Sequence, residues 1–522
     1  MDDEELLPPP GMSGTAAIRA LADALTPDAL TLAETRFAET VRVYLDTFDG
    51  RLGAAGLAAV HTRDQPGSPS GRLAVVDAAT GAEQAGQPWP TGDGPLLAVE
   101  LEPGPARAAL LPIVDVRALL ALAELDVQAT AFAVRDDLGK TVARIALEHA
   151  RMRATGEALA ARLRLQGVRG YDRETARIAG RARELGFTVA RRPLVEDAVV
   201  ADGGSPGGTS SKVGVELLAN QRSDAAAAAV LRRLLEVIEA NLDGSIADLD
   251  AEFLHDLRVA VRRSRAVLRE LKTVFPPREL GHFRAELKWL QGITGPARDH
   301  DVYVLEFDAM RELVPAGIRD DLDPVMRVLK DRRELAHRTM VRELRSERMM
   351  RLRREWDAFL EELVAAPLDE RPQAQQAIGE LAGMRIAKVY RRIRKMGRAI
   401  GPDSPAEEYH EIRKKGKELR YLLELFGTPL FGAETVKPMI KSLKSLQDVL
   451  GRHQDREVQQ ATLRGIAEQV SGMPGRTAAL MAMGVLLEHL GQDEIATRGE
   501  FAEQFAEFTS KERRAQVKDV FA

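Results

Sequence analysis

The sequence predicts a multidomain protein: an N-terminal α+β part followed by an all-α part built from two copies of one helical bundle. Three observations carry this. The chain has 522 residues, more than one hydrophobic core usually supports. Short β-like runs broken by Gly and Pro fill residues 1–200, whereas nearly everything from 213 onward has helical periodicity. Within the second part, a helix-sized pattern returns at an offset of 155 residues.

Taken in order, the β-like runs are Gly71–Asp77, Leu96–Leu101, Ala129–Val134, Thr141–Glu148 and Leu159–Gly167. Helical segments are expected at Gly14–Leu25, Ala106–Leu122 and Tyr171–Leu185. Turns such as Gln65-Pro66-Gly67-Ser68-Pro69 separate them, which is the pattern of antiparallel strands with helices. Residues 201–212 are rich in Gly and Ser and read as a flexible linker. Beyond it, helices are expected at 222–242, 251–274, 278–292, 297–312, 318–346, 350–364, 371–399, 406–426, 434–450, 454–470, 474–490 and 495–508. Breakers such as Pro276-Pro277, Gly295-Pro296, Gly401-Pro402 and Gly451 set those ends. The domains are therefore placed at 1–200 and 213–505, the latter as repeats of about 213–365 and 371–505, with 506–522 as a tail.

Composition narrows the function. No cysteine is present, which excludes disulfides and thiolate chemistry. The acidic start, Met1-Asp2-Asp3-Glu4-Glu5, is unlike a secretory signal, and no long uncharged apolar run suits a membrane span. A cytoplasmic protein is the expectation. The net charge is −5, but residues 1–210 carry −7 and the remainder +2, with the cations gathered on particular helices.

Two of those helices organise the reading. In one, His255 is followed by Arg258, Arg262 and Arg265; in the other, His410 is followed by Arg413, Lys417 and Arg420. Each set lies on one helical stripe beside a core face, formed by Leu254, Leu257, Val261 and Leu268 in the first copy and by Ile412, Leu419 and Leu423 in the second. The following helix repeats too, Lys288-Trp289-Leu290-Gln291 with Gly295 matching Lys444-Ser445-Leu446-Gln447 with Gly451 at an offset of 156. Like charges stacked along a helix repel one another, so something should offset them. Arg forks suit phosphate oxygens, and Lys adds point charge. Lys288, Lys441 and Lys444 extend the same surface, and Arg269, Arg298 and Lys414 lie at its margins. The residues alone leave a second reading open, a solvated face paired with carboxylates of neighbouring helices. Metal binding fits poorly, because each His has basic neighbours. Nucleic acid, also a polyphosphate, is the rival polyanion, although the ridges lack interleaved aromatics.

His255-Asp-Leu-Arg258 through Arg265, with Gly295-Pro-Ala-Arg298-Asp299, resembles the first half of the CHAD domain, the conserved histidine α-helical domain. His410-Glu-Ile-Arg413 through Arg420, with Leu446-Gln447-Asp448 and Gly451, resembles its second half. The resemblance covers roughly 213–505. It implies paired four-helix bundles around a basic cleft that binds inorganic polyphosphate, on polyphosphate granules, with no metal or cofactor. Carried over by position, the binding residues would be His255, Arg258, Arg262, Arg265, Lys288, His410, Arg413, Lys417, Arg420 and Lys444. Glu424 stands where the second copy would match Arg269, a departure at that end of the ridge.

The segment Glu39–Leu52 with Gly56-Leu57 resembles the CYTH family, an antiparallel barrel or triphosphate tunnel. Arg63, Arg135 and Gly170-Tyr171-Asp-Arg173-Glu174 are similar to its later positions. Its opening Glu-x-Glu-x-Lys is missing, and Asp3-Glu4-Glu5-Leu6-Leu7 does not replace it. The resemblance therefore implies a degenerate domain and no enzyme. The alternatives are an inorganic triphosphatase acting in that domain, and a granule scaffold or general polyanion binder.

Overall fold

The structure, a computed structural model, describes residues 4–64, 70–90, 94–401 and 404–521. Asp3, the Gln65–Pro69 turn and the Pro402 breaker lie outside them. The chain divides into two compact units, Met1–Ser210 and Ser211–Ala522.

The first unit contains β1 (Glu4–Leu7), α1 (Gly14–Leu25), β2 (Thr31–Thr47), α2 (Arg51–Ala54), β3 (Leu57–Arg63), β4 (Ser70–Asp77), β5 (Glu83–Pro90) and β6 (Leu96–Leu97). It continues with α3 (Pro105–Val114), β7 (Ala118–Arg135), β8 (Thr141–Met152), β9 (Arg162–Gly167), α4 (Asp172–Glu184), β10 (Thr188–Val189) and α5 (Leu194–Ala201). The sheet is antiparallel, in the order β10-β1-β9-β8-β7-β2-β3-β4-β5, with β6 also on β7. Its spine is the β2–β7 pair, running from Thr31 opposite Arg135 to Thr47 opposite Leu119 with register shifts at Glu34/Arg36 and Tyr44/Leu45.

Strand alternation explains where the core sits. Leu21, Leu25, Ile178 and Ala182 of α1 and α4 pack on Val134, Ile145, Leu147 and Leu165. Leu110 and Val114 of α3 pack on Leu45, Leu73, Val75 and Leu119. The alternate residues of β2, Arg36, Ala38, Thr40, Arg42 and Tyr44, instead line a cavity of about 570 Å³ with Arg144 and Arg164.

The expected barrel is not closed. Among the described residues, strand pairing ends at β10 and β5. Across the opening, a side chain substitutes for a ladder: Arg164 Nη1 on β9 donates to the Gly81 carbonyl between β4 and β5 at 3.3 Å. The helix expected at Ala106–Leu122 is also corrected. It stops at Val114, where Asp115 takes φ 54°, and the Ala/Leu-rich stretch that follows is the central strand β7. Helix propensity there yields to pairing on both sides, with β2 and β6. Strands β1, β2, β3, β5 and β10 have no counterpart among the expected runs. The Gly/Ser stretch is anchored as far as Thr209, whose N–H donates to Phe48 O at 2.8 Å.

The second unit is all helical: α6 (Ser223–Ala247), α7 (Ala251–Glu270), α8 (Pro277–Arg311), α9 (Asp323–Leu344), α10 (Glu347–Glu362), α11 (Ile378–Gly397), α12 (Ala406–Leu422), α13 (Thr428–Phe431), α14 (Ala433–Ser471), α15 (Arg476–Phe508) and α16 (Lys511–Phe521). Three expected breaks are absent. α8 runs through Gly295-Pro296, α14 through Gly451, and α15 through the gap placed between 490 and 495. Packing on both sides holds the turns that Pro and Gly alone would loosen.

Nor does each repeat keep a core to itself. One cluster joins Leu234, Leu257, Val261 and Leu287 of the first repeat to Leu381, Ile412, Leu443 and Phe505 of the second. A separate four-helix core forms from the far halves of α8, α9, α14 and α15, around Phe307, Leu329, Ile466 and Leu486. Residues 506–522 are no tail: α16 docks by burying Val517 and Phe521, with Phe521 edge-on to Phe431.

α6 and α7 pack closely at Gly244, where an added Cβ would lie 2.2 Å from the buried Phe253 ring. Gly244→Ala is expected to lose about 1–2 kcal/mol of stability despite its better helix propensity, read from urea unfolding.

Candidate anion-binding site

The N-cap of α7 sets the first ridge. Asp250 accepts from the Glu252 and Phe253 amides at 2.8 and 3.2 Å, so the helix begins one turn before His255. Leu254, Leu257, Val261 and Leu268 are buried, which leaves His255, Arg258, Arg262 and Arg265 on the adjacent stripe. In α12, Ile412 and Leu419 anchor the matching stripe of His410, Arg413, Lys417 and Arg420.

The two ridges are neighbours. Arg263 of α7 donates to Glu424 at 2.6 Å, and Arg269 reaches Glu418 of α12 at 3.1 Å. Three equivalent contacts reproduce the sequence repeat. Arg265 donates to the Gln291 side chain, and Arg420 to that of Gln447 at 3.4 Å. His255 Nδ1 meets Arg298 at 3.0 Å, and His410 Nδ1 meets Gln454. Gly295 and Gly451 lie beneath the guanidinium groups of Arg258 and Arg413, which an added Cβ would touch at 3.6 and 3.8 Å.

Arg258 is buried and held on α8, donating to Gln291 O and Thr294 Oγ1, both at 2.9 Å. Burial lowers it to about 10, with Arg262 and Arg298 adding repulsion against the help of Asp299, so it stays charged at neutral pH. Arg262 and Lys417 are the equivalent pair at the middle of the ridges. Both are half-buried, and neither forms an ion pair among the described residues. Arg262 Nε is buried without a hydrogen-bond partner there. Burial pulls the Lys417 ammonium down to about 7, and Arg413, Arg262 and Arg420 push the same way against Asp455. Arg413 is 3.5 Å from Asp455.

The rest of the ridge is partly neutralised. Glu424 also accepts from Arg420 at 2.7 Å, so one carboxylate holds a cation from each copy. Arg269 pairs with Glu270 as well as Glu418. Lys414 pairs with Glu411 at 2.8 Å on the outer face. The side chains of Lys288, Lys441 and Lys444 are exposed and make no hydrogen bond or ion pair among the described residues. Arg298 is engaged with His255, the Ala251 carbonyl at 2.9 Å and Glu252 at 3.6 Å. Glu252, His255 and Asp256 do bring three metal-type donors within 4.8 Å, but this guanidinium already stands against two of them.

Comparison with protein families matches residues 229–464 to the CHAD domain. This region is a CHAD domain. Among curated proteins, two uncharacterized proteins from Mycobacterium tuberculosis, strains CDC 1551 and H37Rv, are each 31% identical over 243 residues. That match takes in 44% of this chain and 43% of each relative, less than half of either. Among solved structures, the CHAD domain from the plant Ricinus communis is 24% identical with a TM-score of 0.48, covering 56% of this chain and 95% of that one. PptA from Streptomyces chartreusis is 20% identical at 0.43, covering 55% and 99%. HpAC1 from Hippeastrum, reported with a dominant triphosphatase activity, is 14% identical at 0.26, covering 39% and 95%. At such scores none of the three transfers a function to this chain.

The CHAD domain thus brings together Arg258, Arg262, Arg265, Arg413, Lys417 and Arg420, flanked by the two histidines. Sequence reasoning did not assign the groups that hold them, Gln291, Thr294, Gln447 and Gln454. The signal was available for two, since Gln291 and Gln447 end the repeated Lys-x-Leu-Gln motif. It also missed Arg263, which ties the copies together.

In the first unit, Arg63 pairs with Glu124 at 3.2 Å and does not line the cavity; Arg135 does not line it either. Arg36, Arg42, Arg144 and Arg164 do. Among the described residues, Glu83 of the cavity lining and two carboxylates beside the lining arginines each hold an arginine. Glu148 binds Arg42 through both oxygens at 2.9 and 2.8 Å, Glu5 binds Arg162, and Glu83 binds Arg72. Burial opposes the Glu148 charge, yet Arg42, Arg164 and Arg162 hold it below the usual carboxylate range.

Proposed function

We propose that the CHAD domain binds inorganic polyphosphate along the α7–α12 ridge, and that the protein is a granule-associated binder and not an enzyme. The observation that supports this most is the Arg262–Lys417 pair. Two half-buried cations repel each other, neither is in an ion pair among the described residues, Asp455 offsets the repulsion at Lys417 only in part, and Arg262 keeps an unused donor. Buried polar groups are normally satisfied, and a chain of phosphate oxygens would satisfy both. For the first unit, the engaged carboxylates favour a domain without metal-dependent hydrolysis. Phosphate release from triphosphate with Mg²⁺ would refute that part.

The test is binding of long-chain polyphosphate to the full chain at two salt concentrations, with single-stranded RNA as competitor. Polyphosphate is expected to bind with strong salt dependence and RNA much more weakly. Equal binding of RNA would make the protein a general polyanion binder.

Lys417 gives a pH signature. Below pH 7 it is already charged; above, bound polyanion must draw a proton onto it. Affinity is therefore expected to fall as pH rises through 7, by up to about tenfold per unit, with proton uptake on binding. Lys417→Arg should keep binding and flatten this profile, because arginine stays charged throughout.

A further inference from the structure

A second cationic surface lies away from the ridges, in a groove of about 640 Å³ between α11 and α16. Arg391 and Arg394 form one wall; Lys511, Arg514 and Lys518 form the other. No carboxylate lines it, and none of the five is in an ion pair among the described residues. This differs from the basic stretch of α9 and α10, where Arg338 and Arg348 pair with Glu334 and Glu286. Arg394 and Arg514, from opposite walls, both act on the Tyr390 phenol, so the walls converge on one spot.

Two like-charged helix faces do not dock through those faces. α16 instead packs on α11 through apolar residues below the cationic rims, with Val517 and Phe521 buried, Phe521 against Gly383 of α11, and Gln516 Nε2 donating to Thr435 O at 2.9 Å. The groove therefore stays open with its repulsion unrelieved. Its floor is apolar, formed by Ala387, the Tyr390 ring and Val517. A bare phosphate chain has nothing to place on such a floor. A phosphorylated molecule with an apolar or aromatic body does, and the volume is within the range of small-molecule sites.

We propose that the α11–α16 groove is a separate site for a phosphorylated organic small molecule of the nucleotide type. Its phosphates lie between Arg391, Arg394 and the α16 cations, and its ring rests on Tyr390 and Val517. This does not depend on what the ridges bind.

The experiment titrates ATP into three full-length proteins: wild type, Arg514→Glu/Lys518→Glu for the groove, and Arg262→Glu/Lys417→Glu for the ridge. The groove residues changed are exposed, and their reversal adds attraction to α11, so α16 stays docked; a thermal melt checks this. ATP binding is expected to weaken by about tenfold or more in the groove variant and to stay within about twofold in the ridge variant. On the ridge variant, tripolyphosphate should bind about tenfold more weakly than ATP, because it lacks the ring. A second groove variant, Arg391→Gln/Arg394→Gln, should repeat the loss from the other wall. Three results would overturn the proposal: wild-type ATP binding in the groove variants, no ATP binding in the ridge variant, or tripolyphosphate equal to ATP there.

Discussion

Reversing Arg262 and Lys417 together, as Arg262→Glu/Lys417→Glu, is expected to lower polyphosphate affinity by at least about 100-fold, or about 3 kcal/mol. Each residue would contribute a charge-assisted bond of about 1.5–3 kcal/mol, and each reversal adds repulsion. The structure also says why this pair outweighs its neighbours. Arg420 already shares Glu424 with Arg263, and Arg269 lies on Glu418, so removing either disturbs an existing ion pair. Arg262 and Lys417 have no such partner among the described residues, so their loss breaks no ion pair and gives up only the longer-range attraction between Lys417 and Asp455. The reversed variant should therefore melt no lower than wild type, and it should show a shallower salt dependence of the residual binding. Retained affinity in a folded variant would return the ridges to a solvated charged face.

The second large effect concerns stability. Asp224→Ala is expected to cost the helical unit about 3–5 kcal/mol, seen as a lower urea midpoint with an unchanged slope. Asp224 is fully buried at the start of α6 and accepts from Arg222 at 2.6 Å and from the fully buried Arg371 at 3.4 Å. Arg371 also donates to the carbonyls of Leu363 and Pro367, both at 2.8 Å, and of Ala366. It thereby ties the end of α10 to the segment leading into α11, the joint between the repeats. Removing the carboxylate leaves a guanidinium out of water with no counter-charge. Asp224→Asn, which keeps hydrogen-bonding atoms, should lose markedly less.

The sequence by itself determined the change from mixed to helical structure near residue 210, the duplication, and the ridge residues. Each is a property of order along the chain: a Gly/Ser run, an offset of 155 or 156, and a helical stripe beside an apolar face. The equivalent contacts of Arg265 with Gln291 and Arg420 with Gln447 are that offset expressed in space. Only the tertiary structure decided which cations are already neutralised. Glu418 and Glu424 look like ordinary helix-surface acids until α7 lies beside α12 and brings Arg269 and Arg263 onto them. Long-range packing likewise carried α8 through Pro296 and α14 through Gly451, where local breaker signals predicted ends. In the first unit, β2 puts Arg36, Thr40 and Arg42 on an interior face, so the usual apolar-in alternation was inverted and the strand went unread. The Ala/Leu-rich start of β7 carries helix propensity of a few tenths of a kcal/mol per residue, which pairing with β2 and β6 outweighs. Local preferences are that small, so contacts between distant segments decide wherever the two disagree.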